Sequence, residues 1–458
     1  MRRVANVRAR ATAIALLACG ACNAGPQVER RMAGDTVVVR TQIPAQLDTA
    51  TLAIDARYAL PVAAGDTTPR RITALTRGED GNVYIATDAG VIYGLGPDHV
   101  VSVLMPASRD GGPDRTIRAL LVARDSSVVA RMANGAVTAF TRDGEPVREW
   151  EAGGISGLGS AQLLTRAAQG IQAGLAGIQA GDSARGMPIA VRLGDDGTVQ
   201  DTVYASLARA QACKQGPDPH FRSGEFGDIR VRYVPSLHWT TLPSGGMVIG
   251  CNARYGFAII NPAGKVVRVE HDYTPAAVAE DERASFIAAW TLRMRNAEPG
   301  PQWSWRGAAL PDHKPAYHRI LAGSDDRIWV WPAQPSVSVA APPQWVLVGG
   351  PRRLWVEPGT GAFDVFDAMG AFSGRVRVPG ELGYAVFGTT PGPLIEADTL
   401  WWAVADSAGA HTLVRTHVTW PRPSLARASA ENTTRGTRSA RKTARMAMRR
   451  MLRTHVDE

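Results

Sequence analysis

The chain has 458 residues, 45% of them apolar and only 20% charged, which excludes an intrinsically disordered protein and a small disulfide-stapled module. Its 47 Gly and 30 Pro are a dense supply of turn formers and exclude a helical bundle or a long coiled coil. The net charge of +9 suggests a nucleic-acid binder until it is divided by region: residues 1–22 hold four Arg and no acid, 421–458 hold ten Lys or Arg against three acids, and the 37 basic and 39 acidic residues between them nearly cancel.

Met1 to Arg10 is basic, and Ala11 to Ala18 is an apolar run too short to cross a bilayer core of about 30 Å as a helix. This is the layout of an export signal, expected over 1–22. Its end, Leu16-Leu17-Ala18-Cys19-Gly20, resembles the bacterial lipobox, which implies that Cys19 receives diacylglycerol and becomes the first residue after cleavage. Cys22 fits that pattern less well, and an ordinary secretory peptide cut near Ala21 or Ala24 is the alternative. Both readings place the protein in the bacterial envelope, in the periplasm or at the cell surface. In the first, acyl chains worth about 0.8 kcal/mol per buried methylene tie it to a membrane without a spanning helix. Residues 23–35 are small and polar, a tether leading to the strand-like run Thr36–Arg40.

From 36 to 420 the sequence repeats one pattern, short β-rich segments separated by Gly, Asn and Asp turns. Val83–Thr87, Val91–Leu95 and Val100–Met105 form one copy, and Val128–Met132, Ala136–Thr141 and Pro146–Trp150 a second. A looser copy lies within 155–206, and another runs Met247–Cys251, Phe257–Asn261 and Lys265–Glu270. A further copy covers 315–380, where a Pro-rich insertion separates Ile328–Trp331 from Leu354–Val356, and the last spans 384–420. Each is preceded by one more apolar run, such as Ile72–Leu75, Ile117–Val122 or Tyr317–Leu321, so a copy holds four strands. Antiparallel sheets without alternating helices predict an all-β fold, a six-bladed β-propeller, with seven blades the other count the spacing permits. Ring closure would hide the sheet edges, and Thr36–Arg40 or Leu52–Ala56 is available to complete the last blade.

The stretch Leu310-Pro311 to Pro315-Ala316-Tyr317 leading into Asp325-Asp326-Arg327-Ile328-Trp329-Val330, with Phe363–Gly370 and Gly374–Pro379, resembles the exported six-bladed propeller lipoproteins related to NHL-repeat proteins. The resemblance covers roughly 36–420 and implies a fold without a catalytic constellation. One helix breaks the pattern, expected to start at Thr274-Pro275, to run to about Arg295, and to pack across the ring face or rim between two blades.

Cys213 and Cys251, 38 residues apart in an oxidising compartment, are expected to form a disulfide worth about 4 kcal/mol of loop closure, two buried thiols being the alternative. No CxxC or HxxxH spacing accompanies them, so no metal site is expected there. The polar insertion 216–226 starts just after Cys213, and His220, Arg222 and Glu225 in it are the candidate ligand-binding residues. No G-x-S-x-G elbow and no phosphate loop is present, and no cofactor is expected. The favoured function is therefore a binding module for a protein, peptide or glycan. The alternative is a metal-dependent hydrolase or lactonase with Glu79, Asp80, Asp325 and Asp326 converging on the ring centre, although their turn positions suit solvated carboxylates better. His238, His313 and His318 read as packed or surface histidines. In the tail, 421–458, Ala444, Met448, Met451 and Leu452 fall at helical spacing among six basic residues. That fits a disordered appendage or a helix on an anionic membrane better than a nucleic-acid binder.

Overall fold

Short runs of Val, Ile, Tyr and Trp between tight turns build strands, and the computed structural model of the protein consists mostly of them. It describes residues 27–421 except 43–46, 48, 62–69, 106–115, 124, 134–135, 151–160, 168–169, 176–188, 194–198, 204–219, 224–226, 298–303, 306–308, 341–351, 358–360, 383–390 and 407–408; within 161–230 the description is of backbone alone. The segment expected to carry the export signal and Cys19, and the basic tail beyond Pro421, lie outside the described residues.

Each repeat is an antiparallel meander. The first pairs Ile72–Arg77, Val83–Thr87, Ile92–Leu95 and Val101–Met105 in order, and the second Ile117–Val122, Val128–Met132, Val137–Phe140 and Pro146–Trp150. The third, over the looser copy, pairs Ala161–Ala167, Gly170–Leu175, Ile189–Leu193 and Val199–Val203; the fourth pairs Leu237–Thr241, Met247–Cys251, Gly256–Ile260 and Val266–His271. The fifth comprises Tyr317–Ala322, Ile328–Pro332, Ala362–Phe366 and Phe372–Arg377, and the last Leu394–Glu396, Thr399–Ala405 and His411–Thr419.

Three N-terminal strands, β1 (Gln27–Ala33), β2 (Thr36–Gln42) and β3 (Thr49–Ala59), join these sheets instead of forming one of their own. Of the two early segments expected to complete the last meander, the one within β3 does so, lying beside His411–Thr419. β3 also pairs in parallel with the fifth meander, Thr49 opposite Arg375. The other segment, within β2, runs parallel to Val266–His271 on the fourth, with Val39 opposite Val269. Residues 27–33, expected as tether, form β1 because Gly34 at φ 61° turns the chain back and sets Ala33 opposite Thr36.

Neighbouring meanders pack face to face around a closed ring. Tyr84, Ala86 and Ile92 of the first share a core with Ile117, Leu120 and Ala130 of the second. Ala161–Ala167 lies beside the inner strands of the second and fourth. Val248, Phe257 and Ile259 pack on Ile320, Val330 and Phe366, and the Ser324 amide donates to the Ile395 carbonyl at 2.9 Å. The ring closes where Ile72, Val83 and Tyr93 meet Trp401, Ala403 and Leu413, and where the Ile72 amide donates to His411 Nδ1 at 2.9 Å. A ring of radially packed four-stranded meanders is a β-propeller.

Where a blade is covered on both faces its second strand is buried, throughout in Val83–Thr87 and Ile328–Pro332, and shows no alternation. The blade-5 insertion departs from expectation. Leu354–Val356 is not a blade strand; Arg353–Val356 pairs with Val337–Ala340 as a separate hairpin, and Ala362–Phe366 takes the place in the blade. The helix, α1 (Glu280–Ala297), starts later than Thr274-Pro275, because 276–278 are used in a bridge: the Val278 amide donates to Asp312 O, the Lys314 amide donates to Ala276 O, and Ala277 pairs with His313. Glu280, Asp281 and Glu282 then fill its first turn, where carboxylates oppose the helix dipole.

Candidate functional site

In a meander, the first-to-second and third-to-fourth turns lie at one end, and the second-to-third connection and the crossing to the next blade at the other. α1, the 337–356 hairpin and the approach to the fourth blade at 231–236 therefore share one face. On that face a buried polar cluster holds the insertions together. Lys314, with no side-chain exposure, places Nζ 2.7 Å from the Gln334 carbonyl, 2.5 Å from Ser336 Oγ, 3.2 Å from Glu357 Oε1 and 3.4 Å from Glu282 Oε1. Its ammonium also sits 5.3 Å from the centre of the Tyr233 ring.

Glu282, on the buried side of α1, accepts from Tyr233 OH and from Ser336 Oγ at 2.6 Å. Glu357 accepts from the Gln334 amide at 3.0 Å and pairs with His318 Nε2 at 2.7 Å. Burial works against ionisation of Glu357, but the His318 hydrogen bond and charge, the Lys314 ammonium and the Gln334 amide hold its carboxyl below the usual range. Burial pushes the Tyr233 hydroxyl well up, and its bond to Glu282 adds to this, so it stays a donor. α1 rests on the hairpin through Ser285 Oγ to Arg353 O at 3.1 Å, and Phe286 meets Trp290 and Trp305 edge-on. An ammonium shared among four oxygens is neither a free nucleophile nor a base; the cluster fixes a surface, and His318 is its partly exposed edge.

Beneath it, Asp364 accepts from Arg375 at 2.6 and 3.1 Å and from Tyr255 OH at 2.7 Å. Burial, with the Asp364 charge, raises the Tyr255 hydroxyl well above its usual range. His238 bridges Ser236 Oγ and Asn252 Nδ2, each at 3.0 Å, and stands edge-on to Tyr317, a packed histidine as expected.

His220 and Arg222 lie on His220–Ser223, which pairs with Gly227–Arg230, His220 opposite Arg230 and Arg222 opposite Asp228; Glu225 lies outside the described residues. Cys251, at the end of its strand, is disulfide-bonded, and Cys213 lies outside the described residues. The turn carboxylates do not converge. Asp80, Asp125 and Asp325 occupy the same turn of three blades, each accepting from the amide two residues on, at 3.0, 2.9 and 3.3 Å. Asp326 accepts from the Ser244 amide at 3.0 Å. Among the described residues no three His, Cys, Asp or Glu side chains are grouped to hold a metal ion. A cleft of about 500 Å³ lies on the turn face between the first two blades, lined by Tyr84, Gly94, Asp98 and Arg142 among others. Tyr84 OH there is already bonded to Asp80 at 2.8 Å.

The sequence did not single out Tyr233, Glu282, Lys314, Ser336 or Glu357. They are scattered over more than a hundred positions, and only the fold gathers them; a lysine directly before the apolar Pro315-Ala316-Tyr317 is the one local signal.

Fold and insertions together define a β-propeller with a buttressed cap on one face. Among solved structures the chain is similar to virginiamycin B lyase from Staphylococcus aureus, 12% identical, covering 80% of this chain and 100% of that one at a TM-score of 0.38. It is also similar to the WD40 β-propeller domain of Doa1, 9% identical over 81% and 98% at 0.36, and to a protein of unknown function from Bacteroides caccae, 9% identical over 69% and 84% at 0.31. No family model and no curated protein matches the chain.

Proposed function

We propose that the protein is an exported, lipid-anchored β-propeller of six blades, of the kind its sequence resembles, and that it binds a protein, peptide or glycan on the face bearing α1 and the 337–356 hairpin. The observation that carries this reading is the buried Lys314–Glu282–Glu357 cluster, which fixes two insertions into one surface on a single face. Charged groups are costly to bury, and a rigid surface loses less entropy when it binds. Six meanders in contact around the ring, with β3 as the outer strand of the last, support this blade count. Anchoring at Cys19 agrees with the near-neutral body and the basic leader.

Photo-crosslinking residues at Ala284 and Ala288, both exposed on α1, are expected to capture a discrete partner from the native envelope, while one at Glu145 on the opposite face captures none. Equal capture at all three positions, or none at the helix, refutes the binding face. Palmitate-analogue labelling is expected to vanish in Cys19→Ser; labelling that persists refutes that anchor site.

A further inference from the structure

Among the described residues β1 is the last strand of its sheet, and all seven of its residues, Gln27 to Ala33, are exposed. A free strand edge offers unpaired amides and carbonyls to any chain that fits it, and natural edges are blunted with like charges, Pro or bulges. β1 has no Pro, pairs with β2 without a bulge, and carries charges of both signs. Ala33 and Thr36 flank a two-residue turn and form the hydrogen-bonded pair next to it, so by alternation Arg31, Glu29 and Gln27 bond to β2. The amides and carbonyls of Val28, Arg30 and Met32 point outward.

The outward order is self-complementary. When two copies of Gln27–Ala33 run antiparallel about Arg30, Val28 falls opposite Met32 of the other copy and Glu29 opposite its Arg31, on both sides of the axis. Val28 and Met32 are among the exposed large apolar residues of the protein, at 40% and 66%. Shifting by two residues sets Glu29 against Glu29 or Arg31 against Arg31, which is repulsive. The Glu29–Arg31 pairs would extend a row that starts with Arg40 of β2 opposite Glu29. Arg30 meets its own copy on the other face of the ribbon, where both long side chains can turn apart into solvent.

We propose that β1 pairs with β1 of a second copy of this chain, antiparallel about Arg30, joining two propellers through one continuous sheet. The junction holds about six main-chain hydrogen bonds, two Glu–Arg pairs and two Val–Met contacts. This inference does not depend on the binding face or on the anchor.

Sedimentation velocity of the full chain in detergent, up to about 100 µM, is expected to show a concentration-dependent dimer. Arg30→Pro removes an outward amide that β2 does not use and is expected to abolish the dimer with an unchanged far-UV spectrum. Arg31→Glu sets Glu opposite Glu twice and is expected to weaken dimerisation by about tenfold or more, as is Glu29→Arg by the converse. An equimolar mixture of these two variants restores both opposite-charge pairs and is expected to recover the dimer. A monomer throughout for the unaltered chain, a dimer undiminished in Arg30→Pro, or a mixture no better than its components would overturn the proposal.

Discussion

Replacing Lys314 by Met removes the cation that Glu282 and Glu357 share from a pocket that retains both carboxylates. Lys314 is fully buried, and its ammonium is within 3.4 Å of both Glu282 and Glu357. Methionine fills the same volume but supplies no charge and no donor, so both carboxylates lose the ammonium they share, Glu282 keeping only its Tyr233 and Ser336 donors and Glu357 only His318 and the Gln334 amide. Breaking a buried pair from one side costs about 3–5 kcal/mol, a large part of a typical folding stability of about 5–15 kcal/mol. Urea denaturation followed by tryptophan fluorescence at about pH 7.5 should show this loss, and hydrogen exchange should quicken in α1 and in the hairpin. The pH dependence separates this account from a simple packing defect. In the unaltered chain the Glu357 carboxyl is held low, so its contribution is present above the unfolded value of about 4.3 and is lost as pH falls through the folded value. In the variant Glu357 keeps only His318 and the Gln334 amide against its burial, so its carboxyl is held less low, and the deficit relative to the unaltered chain narrows as pH falls toward about 5. A loss below about 1 kcal/mol, or a loss equally large at both pH values, would refute the reasoning.

His411 accepts the Ile72 amide across the ring closure, and burial lowers its affinity for protons. Its stabilising effect is therefore present above the unfolded value of about 6.5 and lost as pH falls below it, and His411→Asn should flatten that part of the stability profile; an unchanged slope excludes this role. Asp364→Ala leaves the Arg375 guanidinium without its bidentate partner and should cost about 3–5 kcal/mol in urea denaturation, with Asp364→Asn milder because it keeps the shape. Gly250→Ala would place a methyl 2.7 Å from the Gly256 carbonyl oxygen and 2.9 Å from Phe257 Cβ, so a loss of about 1–3 kcal/mol in thermal unfolding is expected. Ser126 sits at φ 66° in the turn where the first blade has Gly81, and Ser126→Gly should gain up to about 1 kcal/mol; a loss would show that the side chain matters there.

The blades were legible because each turn carries its own chemistry. Asp80, Asp125 and Asp325 each close the same bend with a side-chain oxygen, and Gly264 and Gly370 supply positive φ at the next one. These signals are local and survive when long-range context is ignored. What packs against what is not local. Leu354–Val356 has the composition of a blade strand, yet Val337–Ala340 takes it as a partner, because a hairpin closed within one insertion competes with the blade edge. Thr274-Pro275 is a good helix start in isolation, but the bridge to 312–314 claims the following residues first. The charged cluster was invisible for the same reason: Tyr233, Glu282, Lys314 and Glu357 each look like an ordinary surface residue until three separate connections cross over one another.

The placement of β3 imposes an order of events on the newly made chain. Its residues, 49–59, emerge before any of the blades, yet their partner at 411–419 belongs to the blade that closes the ring. The first partner of the early segment, at 375–377, comes more than 300 residues later and the strand at 411–419 some 350 residues later, so ring closure joins positions far apart in sequence. The ring therefore stays open until 411–419 has been made, and β3 is the latch that shuts it.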